Sequence, residues 1–341
     1  MTDPKDILKV VVEGKDLSAE QARGFLEAVI KGEMRPAQVG AVLTALRMKG
    51  ESSREILGLL QTMRAHVLSV EAPGAIDIVG TGGDGSGTFN VSTTSAFVAA
   101  GAGARIAKHG SRSASSKCGS ADVLETLGVN INLSKEEATT VYRKAGIVFL
   151  FAPLYHPALK EVVVIRKELG IRTIFNVLGP FANPAGTTRQ LTGVANKDLA
   201  KKMAEAAKSL GYSYSLIVSS EDGMDEISLF APTRAYEVRG TSLRTLTINP
   251  TKFGFKKATK EDVLGGTAEE NAGIIREVLA GKKGAKRDIV VLNTAFALVV
   301  AGIAKTPKEG VVLAEKSLDS GKARAALQML VQESSRFKKG V

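Results

Sequence analysis

The chain has 341 residues, 44% of them apolar, one cysteine and a formal net charge of +11, enough for two domains or for one large domain with an appendage. A single cysteine excludes an intrachain disulfide, no apolar run approaches the roughly 18 residues of a membrane span, and Met1 to Gly14 lacks the apolar stretch of a secretory leader; a reducing cytoplasm and no membrane contact are expected. The positive charge raises nucleic acid as a partner, but the lysines are dispersed and only 5% of residues are aromatic, so a basic surface with a site for a polyanionic small molecule is the simpler reading.

Residues 5 to 70 read as several short helices divided by Gly14, Gly32 and Gly50. Ser18 with Gln21 and Ser52 with Glu55 have the spacing of capping boxes, and Phe25, Val29, Val39, Val42, Leu43 and Leu46 recur at helical intervals. His66 is expected on an apolar helix in a structural role.

From Ala75 onward strand-like runs alternate with helices: Ala75 to Val79, Ala104 to Ala107, Val148 to Phe151, Ser215 to Val218, Ala235 to Val238 and Leu243 to Ile248. That alternation predicts an α/β fold, a large domain at 72–341 with a central, mostly parallel sheet flanked by helices, preceded by a small all-helical domain at 1–71.

The first strand runs into five glycines within eight positions, Gly80, Gly82, Gly83, Gly85 and Gly87, and then into a helix from about Ser92. Glycines let bare N–H groups approach an anion, and the helix aims its positive end at the same place. Gly80, Gly82 and Gly85 satisfy the spacing of a dinucleotide loop, but the acid expected about 20 residues on is missing; Ser86 and Gly87 stand where a Walker loop needs Lys and Ser/Thr. Asp84 within the loop would repel a phosphate unless a metal or a cationic centre lies between them.

Next, Lys108 to Ser120 supplies three cations and five hydroxyls in thirteen residues, suited to a multiply charged phosphate ester. Of the remaining histidines, His109 lies in this run and His156 in a proline-flanked turn; neither marks a covalent mechanism. Further on, Asp225 and Glu226 follow a strand as adjacent hard oxygen ligands, suited to Mg²⁺ shared with substrate phosphates.

Five stretches in order from residue 80 to about 302, GTGGDGSGTFNVST, KHGSRSASSKCGSADVLETLG, FAPLYHPALKEVVVIRKELGIRTIFNVLGPFANPAG, GMDEISL and LNTAFALVVAG, closely resemble the anthranilate phosphoribosyltransferases of the nucleoside phosphorylase and phosphoribosyltransferase superfamily. The resemblance implies transfer of the phosphoribosyl group of phosphoribosyl pyrophosphate (PRPP) to the amine of anthranilate, a step of tryptophan biosynthesis, with two Mg²⁺ ions and a homodimer. It also implies that part of roughly 160–190 returns to the helical domain. Gly80, Gly83, Asp84, Thr88, Asn90, Val91, Ser92 and Thr93 look like the PRPP loop, continued by Lys108, Ser116 and Ser120. Asp225 and Glu226 look like ligands of one magnesium, and Ser92 like a contact of the other. Arg166 matches the arginine that holds the anthranilate carboxylate, with Gly80 and Ser111 beside it.

Ser111 departs from the family's Lys-His-Gly-Asn-Arg, and Cys118 stands where a small hydroxyl residue is usual. Serine is shorter than asparagine and lacks the amide donor, which weakens acceptor binding or leaves room for a different acceptor amine. Two further readings share the fold: a pyrimidine nucleoside phosphorylase, against which the intact GTGGD, RTIFNVLGP and Asp225–Glu226 motifs argue, and a nucleic-acid-binding relative without transferase activity.

Overall fold

The computed structural model describes residues 4–113, 117–255 and 258–338. Four helices open the chain: α1 (Pro4–Val12), α2 (Ala19–Ile30), α3 (Pro36–Lys49) and α4 (Ser53–Ala65). The Ser18–Gln21 and Ser52–Glu55 capping boxes both form, at α2 and α4, satisfying N–H groups that the first turn leaves open. The dividing Gly14, Gly32 and Gly50 all have φ between 73° and 81°. Phe25, Leu26, Leu43, Leu46, Leu59 and Leu60 are at most 1% exposed; burying each contributes roughly 1.5–3 kcal/mol. At Gly58 a Cβ would collide with the Ala19 carbonyl, so the α2–α4 crossing requires glycine there. His66 stands just past the end of α4, as its cap residue, and bonds Glu27 through Nε2 at 3.0 Å; the expected place within an apolar helix is corrected to a half-exposed helix end.

The α/β part runs β1 (Asp77–Gly80), α5 (Val91–Gly101), β2 (Ile106–Gly110), α6 (Ser120–Thr126), α7 (Lys135–Ala145), β3 (Ile147–Phe151), α8 (Ala152–Tyr155), α9 (Lys160–Leu169), α10 (Phe175–Leu178), β4 (Arg189–Gly193), α11 (Lys197–Ser209), β5 (Tyr214–Ser220), β6 (Thr233–Arg239), β7 (Ser242–Ile248), α12 (Ala268–Leu279), α13 (Ala285–Ala301), α14 (Pro307–Asp319) and α15 (Lys322–Ser335). One sheet has the order β1-β4-β5-β6-β7, parallel across β1, β4 and β5 and antiparallel beyond. A parallel pair, β2 and β3, joins it through an Ile76–Ile106 bridge.

The sheet is thus parallel over β3, β2, β1, β4 and β5, as the alternation of elements predicts. Its missing member in the sequence reading is β4, whose RQLTG has no apolar run; Gln190 and Thr192 are nevertheless completely buried. One core packs α5, α12, α13, α14 and α15 with the sheet. The other gathers α1–α4, α9 and α10 and extends over α11 to Ile217 and Val238. Parallel strands leave the sheet at a common edge, so the loops after β1, β2, β3 and β5 all emerge there. These loops are the glycine-rich, basic, proline-flanked and paired-acid segments of the sequence.

Candidate functional site

The paired acids reach the glycine loop because two neighbouring strand ends lack side chains. Gly80 and Gly193 are in register at the carboxyl ends of β1 and β4. A Cβ on Gly80 would strike the Asp225 carboxylate, and one on Gly193 the Asp225 backbone carbonyl. Asp225 therefore crosses directly over the strand ends, and its Oδ2 accepts a 2.7 Å bond from the Gly82 N–H. Glu226 Oε1 accepts from the Ser92 N–H at 3.1 Å, in the first turn of α5. Asp84 turns back on the same loop, its Oδ2 accepting from the Asp225 N–H at 3.3 Å.

Three carboxylates thus crowd one buried corner. Burial, then the charge of Asp84, raises the Asp225 carboxyl to about 7. Burial and the neighbouring Asp225 push Glu226 well above the usual carboxylate range. Lys108 is the cation beneath them; burial lowers its pKa, while Asp77, Glu226 and Asp225 act in the opposite sense. Its Nζ donates to the Ile78 carbonyl at 2.6 Å and to Ser92 Oγ at 3.4 Å. Excess buried negative charge of this kind fits a divalent cation. Among the described residues no cluster of three or more His, Cys, Asp or Glu forms a metal cage, so the donor set suits an ion whose remaining ligands come from substrate oxygens and water.

The glycine loop is fixed from several sides. Gly82, Gly83, Gly85 and Gly87 all have φ near 70°, which a side chain would oppose. Arg172, from the segment after α9, donates to the Gly83 carbonyl at 2.6 Å and the Gly82 carbonyl at 3.0 Å. Because peptide C=O and N–H point in opposite directions, this turns the N–H groups of Gly83 and Asp84 away from Arg172. The Thr88 hydroxyl pairs with Ser86 Oγ at 3.1 Å. Val91 and Thr93 are each 1% exposed; the Val91 N–H is taken by the Phe89 carbonyl at 2.7 Å, and Thr93 Oγ1 is buried without a partner. Asn90, at the N-cap of α5, donates to the Cys118 carbonyl at 3.3 Å.

After β2, the basic loop closes on Asp122, which accepts from the N–H groups of Ser113 at 3.1 Å and Gly119 at 2.8 Å. Ser120 Oγ donates to the Ser111 carbonyl at 3.3 Å, and Ser111 itself is exposed. Ser116 lies outside the described residues.

A second group of polar side chains borders α10. Arg166 on α9 lies over the Phe175 ring, 5.8 Å from its centroid, with its Nε buried and unpartnered; burial lowers its pKa. His109 bonds the Gly179 carbonyl through Nδ1 at 3.1 Å, and its ring lies 5.4 Å from that of His156. Burial holds His109 down to about 3 and His156 to about 4. Both imidazoles are therefore neutral, and both Nε2 atoms are buried without a partner. The Gly179 turn is held by Arg64, which reaches the Phe181 carbonyl at 3.0 Å, and by Gln190, which donates to the Pro180 carbonyl at 2.6 Å.

Sequence reasoning missed Arg172, Gln190 and the buried Asp77, whose carboxylate accepts from Asn183 Nδ2 at 2.7 Å. Arg172 sits six residues beyond Arg166 in the same motif, but nothing in the spacing shows which arginine turns toward the glycine loop.

Comparison with known proteins places this geometry in context. Residues 5–67 match the glycosyl transferase family, helical bundle domain, and residues 72–324 the glycosyl transferase family, a/b domain. The chain is 49% identical over 330 residues to the anthranilate phosphoribosyltransferase of Thermomicrobium roseum, with 95% of each chain covered. Its fold matches the crystal structure of anthranilate phosphoribosyltransferase from Thermus thermophilus with a TM-score of 0.90 at 39% identity, covering 97% of this chain and 99% of that one. The Saccharomyces cerevisiae enzyme in complex with PRPP and Mg matches with a TM-score of 0.89 at 31% identity, covering 98% of both.

Proposed function

The chain belongs to the anthranilate phosphoribosyltransferase family, and from that premise we infer how its residues divide the work of transferring the phosphoribosyl group of PRPP to the amine of anthranilate. The observation that carries the reading is the passage of Asp225 over Gly80 and Gly193, which brings two buried acids onto a glycine loop at the head of a helix.

The glycine loop, Asn90 and the first turn of α5 receive the phosphates of PRPP, with Thr88, Lys108, Ser116 and Ser120 completing that side. Asp225 and Glu226 would hold Mg²⁺, which would make the diphosphate a better leaving group, and Ser92 would contact a second such ion. Arg166 takes the anthranilate carboxylate through charge-assisted hydrogen bonds, with Gly80 and Ser111 beside the acceptor. Neutral His109 and His156 keep positive charge away from the anomeric carbon, where an oxocarbenium-like transition state develops. The aniline nitrogen is already neutral near pH 7, so alignment with the anomeric carbon replaces a strong general base.

The two cores support a division into a helical domain at 1–71, joined by part of 160–190, and an α/β domain at 72–341, with the acceptor held where they meet. A groove of about 850 Å³ along α1, α3 and α9, flanked by Val12 and Met48 at 67% and 83% exposure, supports a homodimer through this face. Light scattering should give twice the monomer mass, reduced to one by Val12→Lys with Met48→Lys; a monomeric parent chain would end the dimer reading. Among the described residues no helix is long and apolar enough to cross a membrane.

The direct assay follows anthranilate fluorescence on mixing with PRPP. A magnesium-dependent fall supports the transfer reading. No fall over a wide anthranilate range, in protein that binds PRPP, would overturn anthranilate as the acceptor.

A further inference from the structure

Asn90 departs from the usual behaviour of an N-cap asparagine. Its side-chain oxygen ordinarily accepts from an N–H in the first helical turn, but here the side chain makes no capping bond. Its Oδ1 instead accepts a 2.9 Å bond from Nδ2 of Asn271, on α12 and 181 positions away in sequence, and a longer one, at 3.6 Å, from Cys118 Sγ. Asn271 is 2% exposed, and its own Oδ1 accepts from the Gly266 N–H at 2.8 Å.

Backbone groups with only one possible role fix both ends of this chain. The Gly266 N–H can only donate, so the atom facing it on Asn271 is the oxygen and the opposite atom is the amide nitrogen. That nitrogen can only donate, so Asn90 turns its oxygen toward it. The Asn90 nitrogen then faces the Cys118 carbonyl, which can only accept, at 3.3 Å. One N–H of Asn90 is engaged there, and the second remains for a ligand at the mouth of the glycine loop.

The strand of chain that carries Asn271 to this position is itself bound to the loop. The Phe89 N–H donates to the Val263 carbonyl at 3.2 Å, and the Gly265 N–H to the Gly87 carbonyl at 2.9 Å. At Gly265 a Cβ would lie 2.5 Å from Asn271 Oδ1 and 2.6 Å from Phe89 Cα, so glycine is required for the approach.

We propose that Asn271 is a positioning residue for PRPP: it turns the Asn90 oxygen toward itself and so presents Asn90 to phosphate as an N–H donor, at a helix terminus whose Val91 and Ser92 N–H groups are already held by the Phe89 carbonyl and by Glu226. This rests on the assignment of the glycine loop and Asn90 to PRPP. Asn271 itself touches no reacting atom. An aspartate there would keep an acceptor for Gly266 but set oxygen against oxygen at Asn90, reversing that amide.

The test is a mutant cycle on the full-length protein with Asn271→Asp, Asn271→Ala, Asn90→Ala and Asn90→Ala combined with Asn271→Ala. The readouts are KM for PRPP, KM for anthranilate and the midpoint of thermal unfolding. Loss of one hydrogen bond to a charged phosphate corresponds to about a tenfold or greater rise in KM for PRPP. We expect such a rise in both Asn271 variants, larger for Asn271→Asp, with KM for anthranilate unchanged within about twofold. In the Asn90→Ala background the Asn271→Ala change should add nothing further to KM for PRPP. Additive effects in the double variant, or a lowered unfolding midpoint with both KM values unchanged, would overturn the positioning role while leaving the PRPP site standing. A parent protein that fails to bind PRPP in calorimetry would remove the site itself.

Discussion

The two proposed sides of the site satisfy their polar groups to different extents. On the side proposed for phosphate the side chains of Asp84, Lys108, Asp225 and Glu226 are already hydrogen-bonded within the protein and Thr93 Oγ1 is buried without a partner, and what is left for substrate is backbone N–H, the second N–H of Asn90 and concentrated negative charge. On the side proposed for the acceptor Arg166 Nε and the Nε2 atoms of His109 and His156 are buried with no partner among the described residues. Buried polar atoms left unpaired cost about 1–3 kcal/mol each, a cost that an incoming carboxylate and aromatic amine would offset. The side proposed for phosphate thus holds its shape largely from within the protein, and the side proposed for the acceptor is left to be completed by a ligand.

The largest effect should come from removing the charge that defines the phosphate side. Asp225→Asn with Glu226→Gln is expected to lower kcat/KM for PRPP by about a thousandfold, since metal charge stabilisation contributes several kcal/mol. A magnesium titration of the variant checks the cause: unchanged turnover and unchanged magnesium dependence would dissolve the distinction between the two sides. Arg166→Ala should act on the other side alone, raising KM for anthranilate by about fiftyfold through loss of charge-assisted bonds.

The buried histidine gives a prediction in stability. An unfolded imidazole takes up its proton near pH 6.5, whereas folded His109 does so only near 3. Between these values the unfolded chain binds the extra proton, so this group's contribution to stability is present above pH 6.5 and is lost as the pH falls through the window. His109→Gln should therefore reduce the slope of unfolding free energy against pH by about 1.4 kcal/mol per unit between pH 6 and 4. Equal slopes from chemical denaturation of the two proteins would place His109 in a more polar environment than this one. The smallest change is expected for Ser111→Asn, which should lower KM for anthranilate about threefold by restoring an amide donor at an exposed position; a rise in KM would mean that serine suits this chain's acceptor better.

The same asymmetry governs what the sequence reveals. Contiguous glycines, hydroxyls and a pair of acids announce the phosphate side because backbone geometry demands them in runs, and the parallel sheet follows from alternating apolar segments. The capping boxes of α2 and α4 are legible because they depend on residues three apart. β4 is not, since its burial rests on Gln190 and Thr192 rather than on an apolar run. Arg172 and Asn271 are equally silent: each acts across 89 or more positions on a carbonyl or an amide of the glycine loop, and only the fold brings them there. His66 illustrates the converse, an apparent helix residue whose partner, Glu27, fixes it at a helix end.

The most direct test of a site with two separately built halves is to measure both Michaelis constants in Arg166→Ala beside the parent protein, at saturating magnesium. Separately built halves should give a rise of about fiftyfold for anthranilate and a change below about twofold for PRPP. A comparable rise for PRPP, or a rise for PRPP alone, would contradict that separation.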